Sequence, residues 1–250
     1  MYDVFFQCFD EPNADENFEV LKQKAPHAQR IQGIVGIHNA HKHCAELSKT
    51  ELFYLVDGDS CIKEDFEFVY EGFDYKVYLW KAIDGVYGFP GWHGGLKLFP
   101  KDMVLNAGDW GIKYFDSTIT ISDKKHIVIN EIATSHLYNT SPLHTWRTIF
   151  REYIKQVSKE KPSTISQMQQ KLYLTYGNRD MPGYAWYAKM GAIAADSYYN
   201  EHNNFPEKFM VINDYDKLSE LFNVFNYLET KTQLPEKRLW DEWKIITSSI

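Results

Sequence analysis

The stretch that most constrains this chain is Leu52-Phe53-Tyr54-Leu55-Val56-Asp57-Gly58-Asp59-Ser60, an apolar run that stops at two acids separated by one glycine. It reads as a buried strand that delivers two carboxylates to its carboxyl end. That arrangement is a common way to hold a divalent cation against a phosphate, and it points to an enzyme.

The preceding residues supply neighbours for such a strand. Tyr2 to Phe9 is rich in aromatic and β-branched residues and ends at Asp10-Glu11-Pro12, so it reads as a first strand entering a loop. Residues 15–25 place Phe18, Leu21 and Ala25 on one helical face before Pro26, and a short strand follows near Arg30 to Val35. From Ile37, the spacing of Ala40, His41, Cys44, Ala45 and Ser48 marks one face of a helix, with Gly36 just before it. Strand, helix, strand, helix, strand within 60 residues predicts an α/β fold with a mostly parallel sheet flanked by helices. Ligands of such sheets bind beyond the carboxyl ends of the strands, where Asp10, Arg30 to Gly36 and Asp57 to Asp59 converge.

Further along, Tyr75 to Lys81, Gly94 to Phe99, Ile119 to Ile121 and His126 to Ile129 read as shorter strands. Ser141-Pro142 then opens the clearest helix, with Ser as N-cap, Pro at the first position, and Trp146, Ile149, Phe150, Tyr153, Ile154 and Val157 at helical spacing. More helices are expected over 163–176, 183–202 and 214–230.

With 250 residues and 44% hydrophobic content, the chain can bury one substantial core, and no linker-like tract divides it. Cys8, Cys44 and Cys61 show no paired spacing, and Met1-Tyr2-Asp3-Val4-Phe5-Phe6 lacks signal-peptide features, so reduced thiols in a cytoplasmic setting are expected. No apolar run approaches the roughly 18 residues of a membrane span. The net charge of -7 argues against a general nucleic-acid binder, yet residues 145–190 carry eight Lys/Arg against three Asp/Glu.

Three readings of Asp57-Gly58-Asp59 stand side by side. The acids hold Mg2+ or Mn2+ against the diphosphate of a nucleotide-sugar. Alternatively Asp57 is the nucleophile of an aspartyl-phosphate enzyme, although those motifs usually continue with Gly-Thr or Gly-Val rather than Ser60-Cys61. Or Asp-Gly is an ordinary turn after a strand.

The wider segment from Gly36-Ile37-His38-Asn39-Ala40-His41-Lys42 to Asp59 resembles the GT-A glycosyltransferases, in which a helix with a polar first turn precedes the strand that ends in the metal-binding Asp-x-Asp. Five blocks in order, spanning about residues 1–155, look more closely like the phage-type TET-associated glycosyltransferases. They are Phe9 to Asn17, Gly36 to Lys42, Val56 to Asp59, Gly94-Gly95-Leu96-Lys97-Leu98-Phe99-Pro100, and Asn139-Thr140-Ser141-Pro142 through Trp146-Arg147 to Phe150-Arg151-Glu152. That family is linked to sugar attachment on hydroxymethylated pyrimidines of phage DNA, and related phage enzymes transfer arabinose.

The resemblance implies a GT-A-like domain over 1–160, a helical extension over 161–250, a UDP-sugar donor and a hydroxymethylcytosine-containing DNA acceptor. It makes Asp57 and Asp59 metal and diphosphate contacts, and places Asp10, Arg30 and the His38 to Lys42 turn around the nucleotide. The residues themselves support the last of these, because a helix N-terminus offers free N–H groups to an anion and Lys42 adds positive charge. His136 is a candidate additional metal ligand.

The segment Gly85 to Gly95 holds five glycines and three large aromatics, and Trp92, His93, Gly94 and Gly95 are its candidate substrate contacts. An inverting transfer needs a base at the acceptor hydroxyl, and spacing does not choose among Asp109, Asp116, Glu131 and His136; Asp116 and Glu131 lie in segments flanked by apparent strands, and the resemblance favours Glu131, which enters its Ser135 to Trp146 block. Arg147, Arg151, Lys155 and Lys159, each four residues apart, have the spacing of a phosphate track or of a solvated helix face. Two other readings stay open: a glycosyltransferase with a glycan, protein or small-molecule acceptor, and a non-catalytic DNA- or sugar-binding module.

Overall fold

A computed structural model describes residues 1–69, 75–91, 94–108, 121, 126–158, 164–232 and 236–247. The first elements are β1 (Asp3–Cys8), α1 (Ala14–Lys24), β2 (Gln29–Gln32), α2 (Ile37–Leu47) and β3 (Leu52–Asp57). Strand β1 lies between β2 and β3 and is parallel to both. There follow β4 (Ser60–Ile62), β5 (Val77–Asp84), β6 (Pro90–Gly91), β7 (Leu96–Pro100), α3 (Lys101–Leu105) and β8 (His126–His136). The sheet order is β2-β1-β3-β7-β5-β8-β4, with β6 paired to β5. Strand β7 runs antiparallel to β3 and β5, β8 is parallel to β5, and β4 is antiparallel to β8. The α/β class expected from the sequence is the one the chain adopts.

Strand β3 is apolar throughout because both of its faces are covered. Tyr54 and Val56 pack with Val4, Phe6 and Leu21 on the side of α1. Phe53 and Leu55 pack with Phe5, Cys44, Phe99 and Val104 on the side of α2 and α3. By the two-residue period of a strand, Asp57 emerges on the second of these sides. Of the strand expected over Ile119 to Ile121, only Ile121 lies among the described residues. It is helical and buried against the Phe99 cluster, so packing overrides its β-branched preference.

Residues divide into two compact units, Met1–Thr140 and Ser141–Ile250. The second contains α4 (Pro142–Val157), α5 (Thr164–Thr175), α6 (Ala185–His202), a 3-10 segment (Pro206–Asn213), α7 (Tyr215–Thr232) and α8 (Glu236–Thr247). Ser141 caps α4 by accepting from the His144 backbone N–H at 3.1 Å, as the Ser-Pro signature predicts. Helix α4 groups with the C-terminal helices because α6 approaches it closely. A Cβ on Gly191 would lie 2.4 Å from the Trp146 carbonyl oxygen. The division falls between Thr140 and Ser141. Among the described residues no helix is long and apolar enough to cross a membrane.

Candidate active site

The carboxyl edge of the parallel strands gathers the loop after β1, the Gly33 to Gly36 segment and the acid turn after β3. Gly33 donates its backbone N–H to the Cys8 carbonyl at 3.0 Å, which ties the ends of β2 and β1 together. The turn itself is packed from below. The buried side chain of Asn17 on α1 donates to the Gly58 carbonyl at 2.9 Å, and a Cβ on Gly58 would come within 2.6 Å of Cys8 Cβ and 2.8 Å of Glu11 Oε2. Glycine stands between the two acids because the backbone approaches its neighbours too closely for any side chain.

Asp57 and Asp59 meet different partners. Lys97 on β7 places its ammonium 2.7 and 2.6 Å from the two Asp57 carboxylate oxygens, forming an ion pair that is almost fully enclosed on the lysine side. Burial pushes the Asp57 carboxyl above its ordinary range, against the pull of Lys97. Asp59 turns the other way, with Oδ2 2.8 Å from His136 Nε2 at the end of β8. Ser60 pairs with His136 across β4 and β8, so the register itself brings the ring to the turn. Glu11 borders the same turn. Its carboxylate accepts the Phe9 backbone N–H at 2.7 Å, and burial followed by the charge of Asp59 raises its pKa.

The donor set fits a divalent cation in part. A carboxylate oxygen and an imidazole nitrogen side by side suit Mn2+ better than Mg2+, which prefers oxygen alone. Among the described residues no three His, Cys, Asp or Glu side chains converge into a metal cage, so a bound ion would take its remaining coordination positions from ligand oxygens and water.

The nucleotide-side candidates lie on the same edge. Gly36 at the N-cap makes no side-chain cap and no acid stands in the first turn of α2, so the electropositive helix start and the exposed Lys42 suit an anion. His38 is half-buried in that turn and Asp10 is exposed in the loop after β1. Arg30 is engaged locally, with its guanidinium 2.5 Å from Asp15 and 3.2 Å from Cys8 Sγ. One turn further, His41 is fully buried against the Phe99 ring at 5.3 Å, and neither ring nitrogen has a hydrogen-bond partner among the described residues. Burial, then the charge of Lys97, holds its pKa well below the ordinary imidazole value.

Several sequence-derived assignments need correction. Glu131 does not reach the acid turn: it sits in a bulge where the β5 and β8 register shifts, accepts the Trp80 indole N–H at 3.1 Å, and lies five residues before His136. At about 3.3 Å per residue, that is roughly 16 Å along the strand. Gly94 and Gly95 are buried, and local packing fixes both positions. Gly94 adopts a φ of +58°, and a Cβ on Gly95 would sit 2.2 Å from Ser60 Oγ. Gly95 instead accepts the Asp57 backbone N–H at 2.9 Å, fixing the first acid.

The described members of the basic stripe on α4 are engaged by neighbouring residues. Arg147 is 5% exposed and lies over the Tyr215 ring at 4.0 Å, while Arg151 donates to the Ile212 carbonyl at 2.7 Å and Lys155 pairs with Glu152. Asp116, Asp109, Trp92, His93 and Lys159 lie outside the described residues.

Sequence reasoning missed Lys97 and Glu11 as site residues. A lysine inside the all-buried strand Leu96–Pro100 was the available signal, because buried ammonium groups need an anionic partner. Asp84 also passes close by, paired with His136 in register. It is 1% exposed and saturated by the Val86 and Tyr87 backbone N–H groups and the Tyr138 hydroxyl, which makes it a turn-fixing residue.

No protein-family model and no curated protein sequence matches the chain. Among solved structures it is similar to a mannosyltransferase, PcManGT from Pyrobaculum calidifontis in complex with GDP-Man and Mn2+. The identity is 9% and the TM-score 0.43, covering 90% of this chain and 88% of that one. A glycosyltransferase involved in glycosylation of the major capsid of PBCV-1 aligns at 11% identity and TM-score 0.36, over 54% of this chain and 93% of that one. HddC from Yersinia pseudotuberculosis, complexed with GMP-PN, aligns at 14% and 0.38, over 52% and 91%. All three TM-scores fall below 0.5.

Proposed function

We propose that this chain is a metal-dependent glycosyltransferase of GT-A type that takes a sugar from a nucleoside diphosphate donor. The observation that carries the reading is the Asp59–His136 pair at 2.8 Å, set at the carboxyl edge of the sheet beside the uncapped first turn of α2. Asp59 and His136 would hold Mn2+, or less favourably Mg2+. When bound, that ion supplies Lewis-acid neutralisation of the charge left on the departing diphosphate. The α2 N–H groups and Lys42 bind the phosphates, and Asp10 and His38 border the nucleotide. Lys97 neutralises and fixes Asp57.

The acceptor base is assigned to Asp116 in preference to Glu131, which the bulge in β8 removes from the acid turn. The donor elements all fall within residues 1–140.

The family resemblance supports a UDP-linked pentose or hexose and the hydroxymethyl group of a modified cytosine in phage DNA. One observation favours a different acceptor, a glycan, protein or small molecule: Arg147 and Arg151, the residues expected to track phosphates, are engaged inside the helical unit. The test incubates the protein with Mn2+, UDP- and GDP-linked sugars, and either hydroxymethylcytosine DNA or neutral oligosaccharides, and reads product mass. A mass gain on DNA alone establishes the first acceptor, and a gain on glycan alone the second. Donor binding with no transfer to any acceptor, unchanged by Asp59→Ala, would leave a binding module.

A further inference from the structure

The two acids of the turn have different partners, Lys97 for Asp57 and His136 for Asp59. Lys97 contacts both oxygens of Asp57, and among the described residues no other carboxylate forms an ion pair with it. It stands on an inner strand, level with Leu55 of β3 on one side and Leu79 of β5 on the other, so its stem is enclosed and its head is directed at Asp57. A Cβ on Gly94 would lie 3.7 Å from Lys97 Cε, and the absence of a side chain there leaves space beside the stem. Behind the pair, His41 is neutral, fully buried and without a hydrogen-bond partner among the described residues, so it offers Lys97 no anionic alternative.

The Lys97 ammonium occupies both Asp57 oxygens, so among the described residues Asp59 and His136 are the side chains that meet beside it with ligand atoms, while Glu11 borders the turn at Gly58. A divalent cation arriving by itself meets two ligands, which is a weak site by number. A diphosphate brings the missing oxygens and negative charge.

We propose that Lys97 keeps Asp57 out of the metal's coordination sphere in the donor-free protein, so that metal and nucleoside diphosphate bind as a coupled pair. This rests on the transferase reading of the same site. Lys97 is a positioning residue: it acts through Asp57, and its loss shifts metal affinity in the direction opposite to simple damage.

The experiment titrates MnCl2 into the full chain at pH 8 and follows free Mn2+ by electron paramagnetic resonance, with and without UDP or GDP. Wild type should bind Mn2+ weakly alone and at least about tenfold more tightly with the nucleotide. Lys97→Met, which keeps the stem and removes the charge, should bind Mn2+ alone about tenfold more tightly than wild type and lose most of the nucleotide's effect. Lys97→Arg should resemble wild type. The double variant Lys97→Met/Asp57→Asn removes both charges of the pair, and its donor-free Mn2+ affinity should match wild type even if the single variant folds poorly.

Unchanged or weaker Mn2+ binding in a folded Lys97→Met protein overturns the proposal, as does loss of donor-free binding in the double variant. Equal wild-type affinity with and without nucleotide sinks the coupling alone. An absence of Mn2+ binding under both conditions sinks the metal reading and the proposal with it.

Discussion

His136 Nε2 stands 2.8 Å from Asp59 Oδ2 across 77 residues of sequence, held there by the pairing of β8 with β4. The ring and the carboxylate belong to one site only because two strand ends meet.

His136→Ala and Asp59→Ala should each weaken Mn2+ binding in the presence of nucleotide by at least about 10-fold, since even outer-shell losses at metal sites cost 10- to 100-fold. His136→Asp should move the preference from Mn2+ towards Mg2+, because it replaces nitrogen with oxygen. Calorimetric titration with both ions checks this. A His136→Ala protein that binds Mn2+ as wild type does would remove His136 from the site.

Gly58→Ala should lower stability by about 1–3 kcal/mol, the usual range for overpacking, because the new methyl meets Cys8 and Glu11. Gly108 has nothing within 4 Å of a built Cβ, so Gly108→Ala serves as the control and should be within about 0.5 kcal/mol of wild type. Urea midpoints for the two variants decide it; equal midpoints would contradict the packing described around the turn.

Acid should unfold the chain partly through His41. Its pKa in the fold lies well below the ordinary 6.5, with burial the chief cause, so the unfolded chain takes up the proton first. Stability linked to the neutral ring is present above pH 6.5 and is lost as the pH falls below that value towards the depressed folded pKa. The slope from this group cannot exceed about 1.4 kcal/mol per pH unit. Glu11 and Asp57, whose folded pKa values are raised, contribute in the opposite sense, so the clean measurement is the difference between wild type and His41→Leu from pH 7 to 5. Parallel stability curves for the two proteins would remove His41 from the account.

Arg147→Met should reduce thermal stability, with a cost of about 1–2 kcal/mol from the lost stacking on Tyr215. It should leave the salt dependence of any DNA binding unchanged. A salt slope that falls by about one would restore Arg147 as a phosphate contact.

The apolar run, the first three strands, both early helices and the Ser141 cap were legible because each is set by local periodicity or by a capping residue. Helix α2 begins at Ile37 and buries Ala40, His41, Cys44 and Ala45, the face its spacing predicts. Glu131 was misplaced for a physical reason. Its strand was expected over His126 to Ile129, and Glu131 was favoured because it enters the block that carries the family resemblance. The strand instead continues through a bulge to His136, and periodicity gives no warning of an inserted residue. Arg147 and Arg151 show the same limit on a helix. Four-residue spacing puts them on one face, but only the packing of residues near 212–215 reveals that this face is covered.

The distance in sequence between Asp59 and His136 also sets an order of events during folding. Strands β1, β2 and β3 and the helices between them lie within the first 57 residues, whereas β8 must close a much longer loop before it can dock on β4. Loop-closure entropy delays such non-local pairing, so β8 should dock after the local β1 to β3 unit has formed, with the acid turn incomplete until then. A chain emerging from synthesis, or one opened at β8 by thermal fluctuation, thus presents Asp59 without its imidazole. Ion capture in the presence of nucleotide would then report on completion of the sheet, and a metal-sensitive refolding phase should trail the recovery of helical signal.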